Sequence, residues 1–262
     1  MEQVSDVKYF DDRFENANSQ VALLPLFHSC DAITFRSILE TRRLIPTDCS
    51  VFVGEKLIYM FYGRPAYKKR SVETDGLNSY LPISFILDWN HIPEVKRVAP
   101  FDTGAFESEL YKRYMHPKMK VQDFFMRPEK RSTTKTTSFF FGGNKDYFKG
   151  TPKAVINYDH FDFEIESYLK LIKGRITEPA DDRKATIEIQ LETEIVLSKD
   201  TLKAVILPSD FACSDIVKRI LVDELSVQLI EYKSYGVHSA YYYTHTLYLA
   251  NNFLLDNKYF TS

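Results

Sequence analysis

Residues 25–44, PLFHSCDAITFRSILETRRL, contain the change from strand to helix around which the fold is built. The apolar run at residues 21–27, VALLPLF, predicts a buried strand that ends at His28. Asp31 is a suitable N-cap for a helix after that strand. The apolar face of this helix comprises Phe35, Ile38 and Leu39. The pattern therefore predicts that a polar side chain, His28, lies at a strand-to-helix junction.

Further strands and helices are predicted outward from this segment. Apolar runs of strand length occur at residues 56–62 (KLIYMFY), 82–87 (PISFIL), 185–190 (ATIEIQ) and 202–207 (LKAVIL). Helical patterns occur at residues 105–115, 159–174 and 214–225, the second with Phe161 on its apolar face. Strands outnumber helices, and no linker rich in Gly, Pro or Ser divides the chain. The sequence therefore predicts one α+β domain over residues 1–262.

The composition favours a protein of a reducing compartment. The cysteines Cys30, Cys49 and Cys213 are widely spaced and odd in number, which argues against a disulfide framework. No CxxC or HExxH motif is present, so a zinc site is not expected. The polar N-terminus lacks the apolar core of a signal peptide, and no apolar run approaches the ~20 residues of a membrane span. We therefore expect a cytoplasmic protein without a membrane partner.

A basic block stands out against the overall net charge of −2. Residues 112–153 hold eleven Lys and Arg against three Asp and Glu, a local balance of +8. Their irregular part, residues 126–150, predicts a long flexible loop in which aromatic and basic side chains alternate. That mixture is typical of surfaces that stack bases and neutralise phosphates. The candidate nucleic-acid contacts are Lys130, Arg131, Lys135 and Lys145.

Two other interpretations fit the same block. A solvated loop without any partner is compatible with its charge. The aromatic run at residues 139–141 (FFF) is equally compatible with a small strand that packs inward.

A carboxylate lies inside the strand predicted at residues 185–190. In an alternating strand, Glu188 and Gln190 share one face, opposite Ile187 and Ile189. Such a carboxylate either faces solvent or serves as a catalytic group, and the strand alone does not distinguish the two.

The order of three segments resembles the ADP-ribosyltransferase superfamily, in particular the DarT-like toxins that modify DNA. Residues 25–44 are similar to the family's strand ending in His with its following helix, "NL..IL..GL". Residues 57–68, LIYMFYGRPAYK, are similar to the "GIYF" strand of poly-ADP-ribose polymerases and to the DarT-like "FYF..R.PM". Residues 186–208, TIEIQLETEIVLSKDTLKAVILP, resemble the strand with the catalytic Glu and its hairpin. The resemblance covers residues 21–70 and 183–208, under a third of the chain.

The resemblance implies an α+β fold with a split antiparallel sheet around an NAD cleft and flanking helices. It implies NAD-dependent ADP-ribosyl transfer, a glycosyltransferase reaction. His28 would hydrogen-bond a ribose hydroxyl, and Tyr59 or Tyr62 would stack on the nicotinamide. Arg64 would pair with the pyrophosphate, and Glu188 would stabilise positive charge as the glycosidic bond breaks. The implied catalytic set is Glu188, Arg64 and Tyr62; the implied NAD-binding set is His28, Ser29, Tyr59, Tyr62 and Arg64.

One position departs from the family pattern, and another offers a second candidate for the catalytic carboxylate. Arg43 occupies the position after the helix where the family usually has Gly. Glu194 lies in the run LETEIVL, which is similar to the "NEYIVY" of the polymerases. Glu194 is therefore a rival to Glu188 for the catalytic position.

The resemblance implies a nucleic-acid acceptor, DNA or RNA. Such an enzyme would harm its own host, so a toxin or antiviral-defence role with a neutralising antitoxin protein follows as a hypothesis. A protein acceptor is an alternative. Two non-enzymatic alternatives are a nucleic-acid-binding module with a degenerate fold of this type and an interaction protein with an aromatic surface. In those cases His28, Tyr59 and Tyr62 are core residues and Arg64 braces a turn.

Overall fold

A mixed β-sheet forms the centre of the computed structural model, which describes residues 9–17, 20–66, 76–174 and 183–260. The strands are β1 Leu26–Asp31, β2 Arg43–Leu44, β3 Thr47–Asp48, β4 Lys56–Tyr62, β5 Pro82–Leu87, β6 Arg97–Ala99, β7 Glu188–Leu191, β8 Ile195–Val196, β9 Leu202–Pro208 and β10 Gln228–Tyr232. The helices are α1 Ala32–Thr41, α2 Thr103–Glu107, α3 Lys130–Thr136, α4 Asn144–Lys149, α5 Phe163–Lys173, α6 Ser209–Ala212, α7 Asp215–Val217 and α8 Tyr243–Asp256.

Strands that are distant in the chain are neighbours in the sheet. Within the described residues the order is β10-β9-β5-β1-β4-β7-β6, with β3 paired to β4 beside this path. Strands β9 and β10 are parallel, and the other pairs are antiparallel. A separate two-stranded ribbon joins β2 to β8. The predicted α+β class is confirmed as a mixed central sheet with flanking helices.

The centre of the sheet is covered on both faces. Strand β5 is buried along its whole length, and β9 is buried at six of its seven positions. Apart from Ser84 and Lys203, the side chains on both faces of these strands are apolar, which is typical of strands covered on two sides. Helix α1 packs on β1 and β5, and α8 packs on β5, β9 and β10. The predicted strand at residues 82–87 matches β5, and the run at 56–62 matches β4.

Strand β1 begins later than the sequence predicts. The apolar run at residues 21–27 was expected to form the strand, whereas β1 spans Leu26–Asp31. His28 is therefore inside the strand rather than at its end. Asp31 caps α1 as predicted, since its side chain accepts from the Thr34 N–H and hydroxyl at 3.2 and 2.6 Å.

The prediction of a long loop at residues 126–150 is wrong. This segment forms α3, a wide π-type turn at Thr137–Phe141, and α4. Most of α3 is buried although its sequence is KRSTTKT. The hydroxyls of Thr133, Thr134 and Thr136 donate to carbonyls one turn earlier, at 2.7 to 3.0 Å. Each hydroxyl is thereby satisfied inside the helix, which is how this polar run is accommodated in the interior.

The aromatic run at residues 139–141 packs inward, but in the π-type turn rather than in a strand. Phe140 is fully buried and its ring stacks at 6.0 Å from that of Phe10. Phe139 stacks on Phe14 at 4.7 Å. Both partners belong to the 3₁₀ turn Phe10–Phe14, so the aromatic run fixes the N-terminal segment.

Two predicted helices differ in extent. The helix expected at residues 105–115 is α2, which ends at Glu107. The helix expected from residue 159 is α5, which begins at Phe163 and stops before Gly174. Phe161 was placed on its apolar face, but it precedes the helix and is 81% exposed. Among the described residues, no helix has the length and apolarity needed to cross a membrane.

Candidate functional site

Strands β1 and β4 separate soon after they meet. They pair at Leu26↔Tyr62 and Phe27↔Phe61. Beyond these two pairs β1 remains paired with β5 as far as Asp31, while β4 continues along β7. A gap therefore opens between two neighbouring strands of one sheet. His28 and Ser29 lie on its β1 side, and Tyr59 lies on its β4 side.

The imidazole of His28 bridges this gap. Its Nδ1 lies 2.9 Å from the main-chain carbonyl oxygen of Tyr59. Because a carbonyl oxygen only accepts, Nδ1 carries the proton and Nε2 carries the lone pair. Burial lowers the pKa of His28, and the bond to Tyr59 opposes this only in part. His28 thus provides a neutral ring whose second nitrogen is a hydrogen-bond acceptor.

Two cavities adjoin at the gap. The larger encloses about 400 Å³ and is lined by His28 and by the side of α1 that carries Thr34, Ile38 and Thr41. The smaller encloses about 280 Å³. Its lining includes Asp48, Cys49, Asp102, Arg183 and Glu188. Ser29, Tyr59 and Phe61 line both cavities, so the two form one elongated cleft across the gap.

Glu188 is a buried carboxylate in the smaller cavity. It lies beside Phe61 of β4 and is 1% exposed. Its Oε2 accepts from the Thr103 N–H at 3.1 Å, and its Oε1 accepts from the Thr103 hydroxyl at 2.8 Å. Gln190 Nε2 donates to Oε1 at 2.6 Å. The prediction that Glu188 and Gln190 share a face is confirmed, whereas a solvent-facing Glu188 is ruled out by its burial.

Burial dominates the electrostatics of Glu188. Desolvation, and then the nearby charge of Asp102, raise its pKa to about 8, and the three hydrogen bonds act in the opposite direction. The carboxyl is therefore largely protonated at neutral pH. A cation placed beside it would favour its ionised form.

Several residues of the smaller cavity were not singled out by the sequence. Cys49 Sγ lies 2.7 Å from the Tyr59 hydroxyl and accepts from the N–H groups of Val51 and Phe52 at 3.2 and 3.0 Å. The three cysteines are free, in agreement with the predicted lack of disulfides. No signal in the sequence points to Cys49, because its place beside Tyr59 depends on the turn between β3 and β4.

Asp102 caps α2, and it also faces Glu188. Its Oδ1 accepts from the Ala105 N–H at 2.7 Å, which caps α2. Its Oδ2 lies 3.5 Å from Arg183 Nη1. Both side chains line the smaller cavity.

Tyr62 and Arg64 do not line either cavity of the cleft. Tyr62 is fully buried, its hydroxyl accepts from the Leu24 N–H at 3.1 Å, and its ring packs 5.7 Å from that of Trp89. Arg64 is 3% exposed and donates from Nη1 to the carbonyl oxygen of Tyr147 at 3.2 Å. Of the two candidate rings, Tyr59 is the one at the cleft. Tyr67, the next tyrosine along the chain, lies outside the described residues.

Glu194 lines neither cavity of the cleft. It precedes β8, its side chain is 42% exposed, and it forms an ion pair with Arg43. Arg43 itself lines the larger cavity. The two candidate carboxylates therefore lie in different surroundings: Glu188 is buried and lines the smaller cavity, whereas Glu194 is exposed and is linked to the larger cavity only through Arg43.

The four candidate nucleic-acid contacts do not share one exposed surface. Lys135 is 1% exposed, and its Nζ pairs with Asp11 at 3.4 Å and with Glu15 at 2.7 Å. Arg131 is exposed and lies 3.7 Å from Glu15, while half-buried Lys130 donates to Asn90 Oδ1 at 2.9 Å. Lys145 is half-buried. The acidic N-terminal segment thus neutralises part of the basic block.

Comparison with known proteins gives no match: no family model, no curated protein and no solved structure matches the chain.

Proposed function

We propose that the chain is an NAD-dependent ADP-ribosyltransferase that binds NAD across the gap between β1 and β4. The observation that carries this proposal is the separation of these strands after Phe27↔Phe61. It brings His28, Tyr59 and Glu188, which come from three distant segments, to one cleft. This local separation supports the split sheet that the resemblance to ADP-ribosyltransferases implies.

The two cavities suit the two halves of a dinucleotide. The larger cavity has apolar side chains and hydroxyls, which fit a nucleoside, and His28 Nε2 is an acceptor for a ribose hydroxyl. The smaller cavity places the Tyr59 ring and the Glu188 carboxyl together. We assign it to the nicotinamide riboside, whose ring would pack against Tyr59.

Glu188 is suited to stabilise the transition state. The bond between the nicotinamide nitrogen and ribose C1′ breaks, its electron pair leaves with nicotinamide, and positive charge develops on the ribose. An ionised carboxylate in a partly dry cleft stabilises that charge. The positive nicotinamide ring promotes ionisation of Glu188, because a neighbouring cation favours the charged form. A nucleophile of the acceptor then bonds to C1′ and loses its proton.

Nucleic acid, DNA or RNA, is the acceptor that we propose. Its support is the basic block, in which Arg131 remains exposed and Lys130 and Lys145 half-buried, although Lys135 is not accessible. A cytoplasmic location supplies both NAD and nucleic acid. An enzyme of this kind would act as a toxin or an antiviral-defence effector and would require a neutralising antitoxin protein in its host.

The decisive experiment measures nicotinamide release and transfer of labelled ADP-ribose to DNA, RNA and protein. Glu188→Gln, which keeps the shape of the side chain, is compared with Glu194→Gln. We expect Glu188→Gln to lose roughly 10²-fold or more in rate and Glu194→Gln to change it by less than about threefold.

The other outcomes are equally informative. A loss in Glu194→Gln alone would assign the chemistry to the exposed carboxylate. Label on protein alone would replace the nucleic-acid acceptor. If folded protein releases no nicotinamide with any acceptor, the proposed enzymatic function is overturned.

A further inference from the structure

A chain of hydrogen bonds reaches Glu188 from the edge of the sheet. Arg97 of β6 lies opposite Gln190 of β7 in the strand register. Arg97 Nη1 donates to Gln190 Oε1 at 2.7 Å, and Arg97 Nη2 pairs with the Glu55 carboxylate. Gln190 Nε2 continues the chain to Glu188. The order of groups is therefore Glu55, Arg97, Gln190, Glu188.

This chain fixes the orientation of the Gln190 amide. A guanidinium only donates, so the group that faces Arg97 must be the amide oxygen. The NH₂ group then faces Glu188 Oε1 at 2.6 Å and Thr103 Oγ1 at 3.2 Å. The opposite orientation would place donor against donor at Arg97 and, when Glu188 is ionised, oxygen against oxygen at Glu188. Arg97 thus determines that Glu188 receives a donor from Gln190.

Arg97 is itself held in place. Its guanidinium carbon lies 4.1 Å from the ring centroid of Phe52, and its side chain is 15% exposed. Glu55 also pairs with Lys96 at 3.0 Å. A planar cation that is stacked on a ring and paired with a carboxylate has little rotational freedom, so it presents Nη1 to Gln190 in one geometry.

We propose that Arg97 is a positioning residue that orients Gln190 and thereby holds the Glu188 carboxylate in place for reaction. The importance of this placement rests on the proposed function, whereas the coupling of Arg97 to Glu188 is a property of the folded chain. The two statements can therefore fail separately.

The test measures the ionisation of Glu188 directly. Carboxyl infrared difference spectra against Glu188→Gln, recorded as a function of pH, follow this group without any substrate. Arg97→Met and Gln190→Leu should each raise the midpoint of Glu188 titration by about one unit, because one donor to the carboxylate is lost. Arg97→Lys keeps a donor, so its midpoint of Glu188 titration should lie close to that of the parent. Arg127→Met, which breaks an Arg–carboxylate pair with Asp12, is the matched control and should leave the midpoint unchanged.

Turnover of NAD gives the second measurement. In Arg97→Met the acid limb of the kcat profile should move to higher pH by the same amount, with KM for NAD changed less than about threefold. If Arg97→Met fails to fold, the double variant Arg97→Met/Glu55→Gln takes its place, because it also removes the charge of the Glu55 carboxylate. A lowered melting temperature with an unchanged Glu188 titration in both Arg97→Met and Gln190→Leu would overturn the positioning role. A shifted titration in a chain that does not consume NAD would support the coupling and reject the proposed function.

Discussion

The Nδ1 atom of His28 lies 2.9 Å from the carbonyl oxygen of Tyr59, across strands that no longer pair with each other. The side chain of one strand thus takes the place of a main-chain donor where the ladder is interrupted. This single bond satisfies a carbonyl at the gap and fixes the tautomer of the ring that faces the larger cavity.

Removal of the His28 ring should weaken NAD binding. His28→Ala loses the Nε2 acceptor and leaves the Tyr59 carbonyl without its side-chain donor. A lost hydrogen bond in a buried site costs about 1–3 kcal/mol, so we expect Kd for NAD to rise roughly 5- to 150-fold, as measured by calorimetry. His116→Ala, at an exposed position, is the control. Equal affinities in the two variants would remove His28 from the binding site.

The stability of the protein should fall in acid because of His28. Its folded pKa is lowered from the ordinary 6.5 by burial, so the unfolded chain binds a proton first. The contribution is fully present above pH ~6.5 and is lost as the pH falls below it. Between pH 8 and 5, the free energy of unfolding in urea should therefore fall less in His28→Gln than in the parent. Parallel curves for the two proteins would contradict a lowered pKa of His28 in the folded state.

Glu188 should have the opposite effect on the pH dependence of stability, because it stabilises the folded state at low pH. Its folded pKa is raised from 4.5 to about 8, so the folded state keeps a proton that the unfolded chain has released. Its contribution is present below pH ~4.5 and is lost as the pH rises towards 8. The free energy of unfolding of Glu188→Gln relative to the parent should therefore increase by a few kcal/mol between pH 5 and 8.5. A constant difference across this range would show that Glu188 is ionised throughout.

Binding of NAD should release a proton. The cationic nicotinamide ring beside Glu188 favours the ionised carboxylate, which at neutral pH is largely protonated in the free protein. Calorimetry at pH 7 in buffers of different ionisation enthalpy should show release of up to about one proton. Glu188→Gln should release none, while Glu194→Gln should behave as the parent does.

Lys135 should contribute to stability rather than to nucleic-acid binding. Its Nζ is buried between Asp11 and Glu15, and Asp11 is itself fully buried. Lys135→Met leaves the Asp11 charge without its cation and should cost about 3–5 kcal/mol in urea unfolding. The exposed control Arg131→Gln should change stability by less than about 0.5 kcal/mol. A stable Lys135→Met variant with weakened nucleic-acid binding would reverse this assignment.

Local patterns predict five of the eight strands of the main sheet, namely β1, β4, β5, β7 and β9, but not β3, β6 or β10. Strands β4 and β5 have the predicted bounds because their apolar runs are long and end at clear breaks, such as Gly63. The helix α3 could not be predicted in this way. Its Ser and Thr residues favour turns in isolation, and its burial depends on Asp11, which accepts from Ser132 at 2.9 Å across 121 positions of the chain.

The sequence also indicates His28, Tyr59 and Glu188 as candidate site residues, but it does not indicate the groups that surround them. The bonds of Glu188 to Thr103, and of Gln190 to Arg97, depend on the register of β6 and β7 and on the start of α2. These are contacts between segments about 90 residues apart. For the same reason the sequence does not distinguish Tyr59 from Tyr62, which lie three positions apart on one strand but in different surroundings.

Strand β7 lies between β4 and β6 although it follows both in the chain, and this has a consequence for biosynthesis. Glu188 is 160 residues beyond His28, a delay of roughly 8–30 s at ~5–20 residues per second of translation. Until β7 emerges from the ribosome, β4 and β6 each have an unpaired edge and the smaller cavity lacks Glu188. If the proposed function holds, a nascent chain therefore lacks activity, and its unpaired strand edges are open to association with other chains in the same interval. Any factor that guards the unfinished sheet would have to act before residue 188 is added.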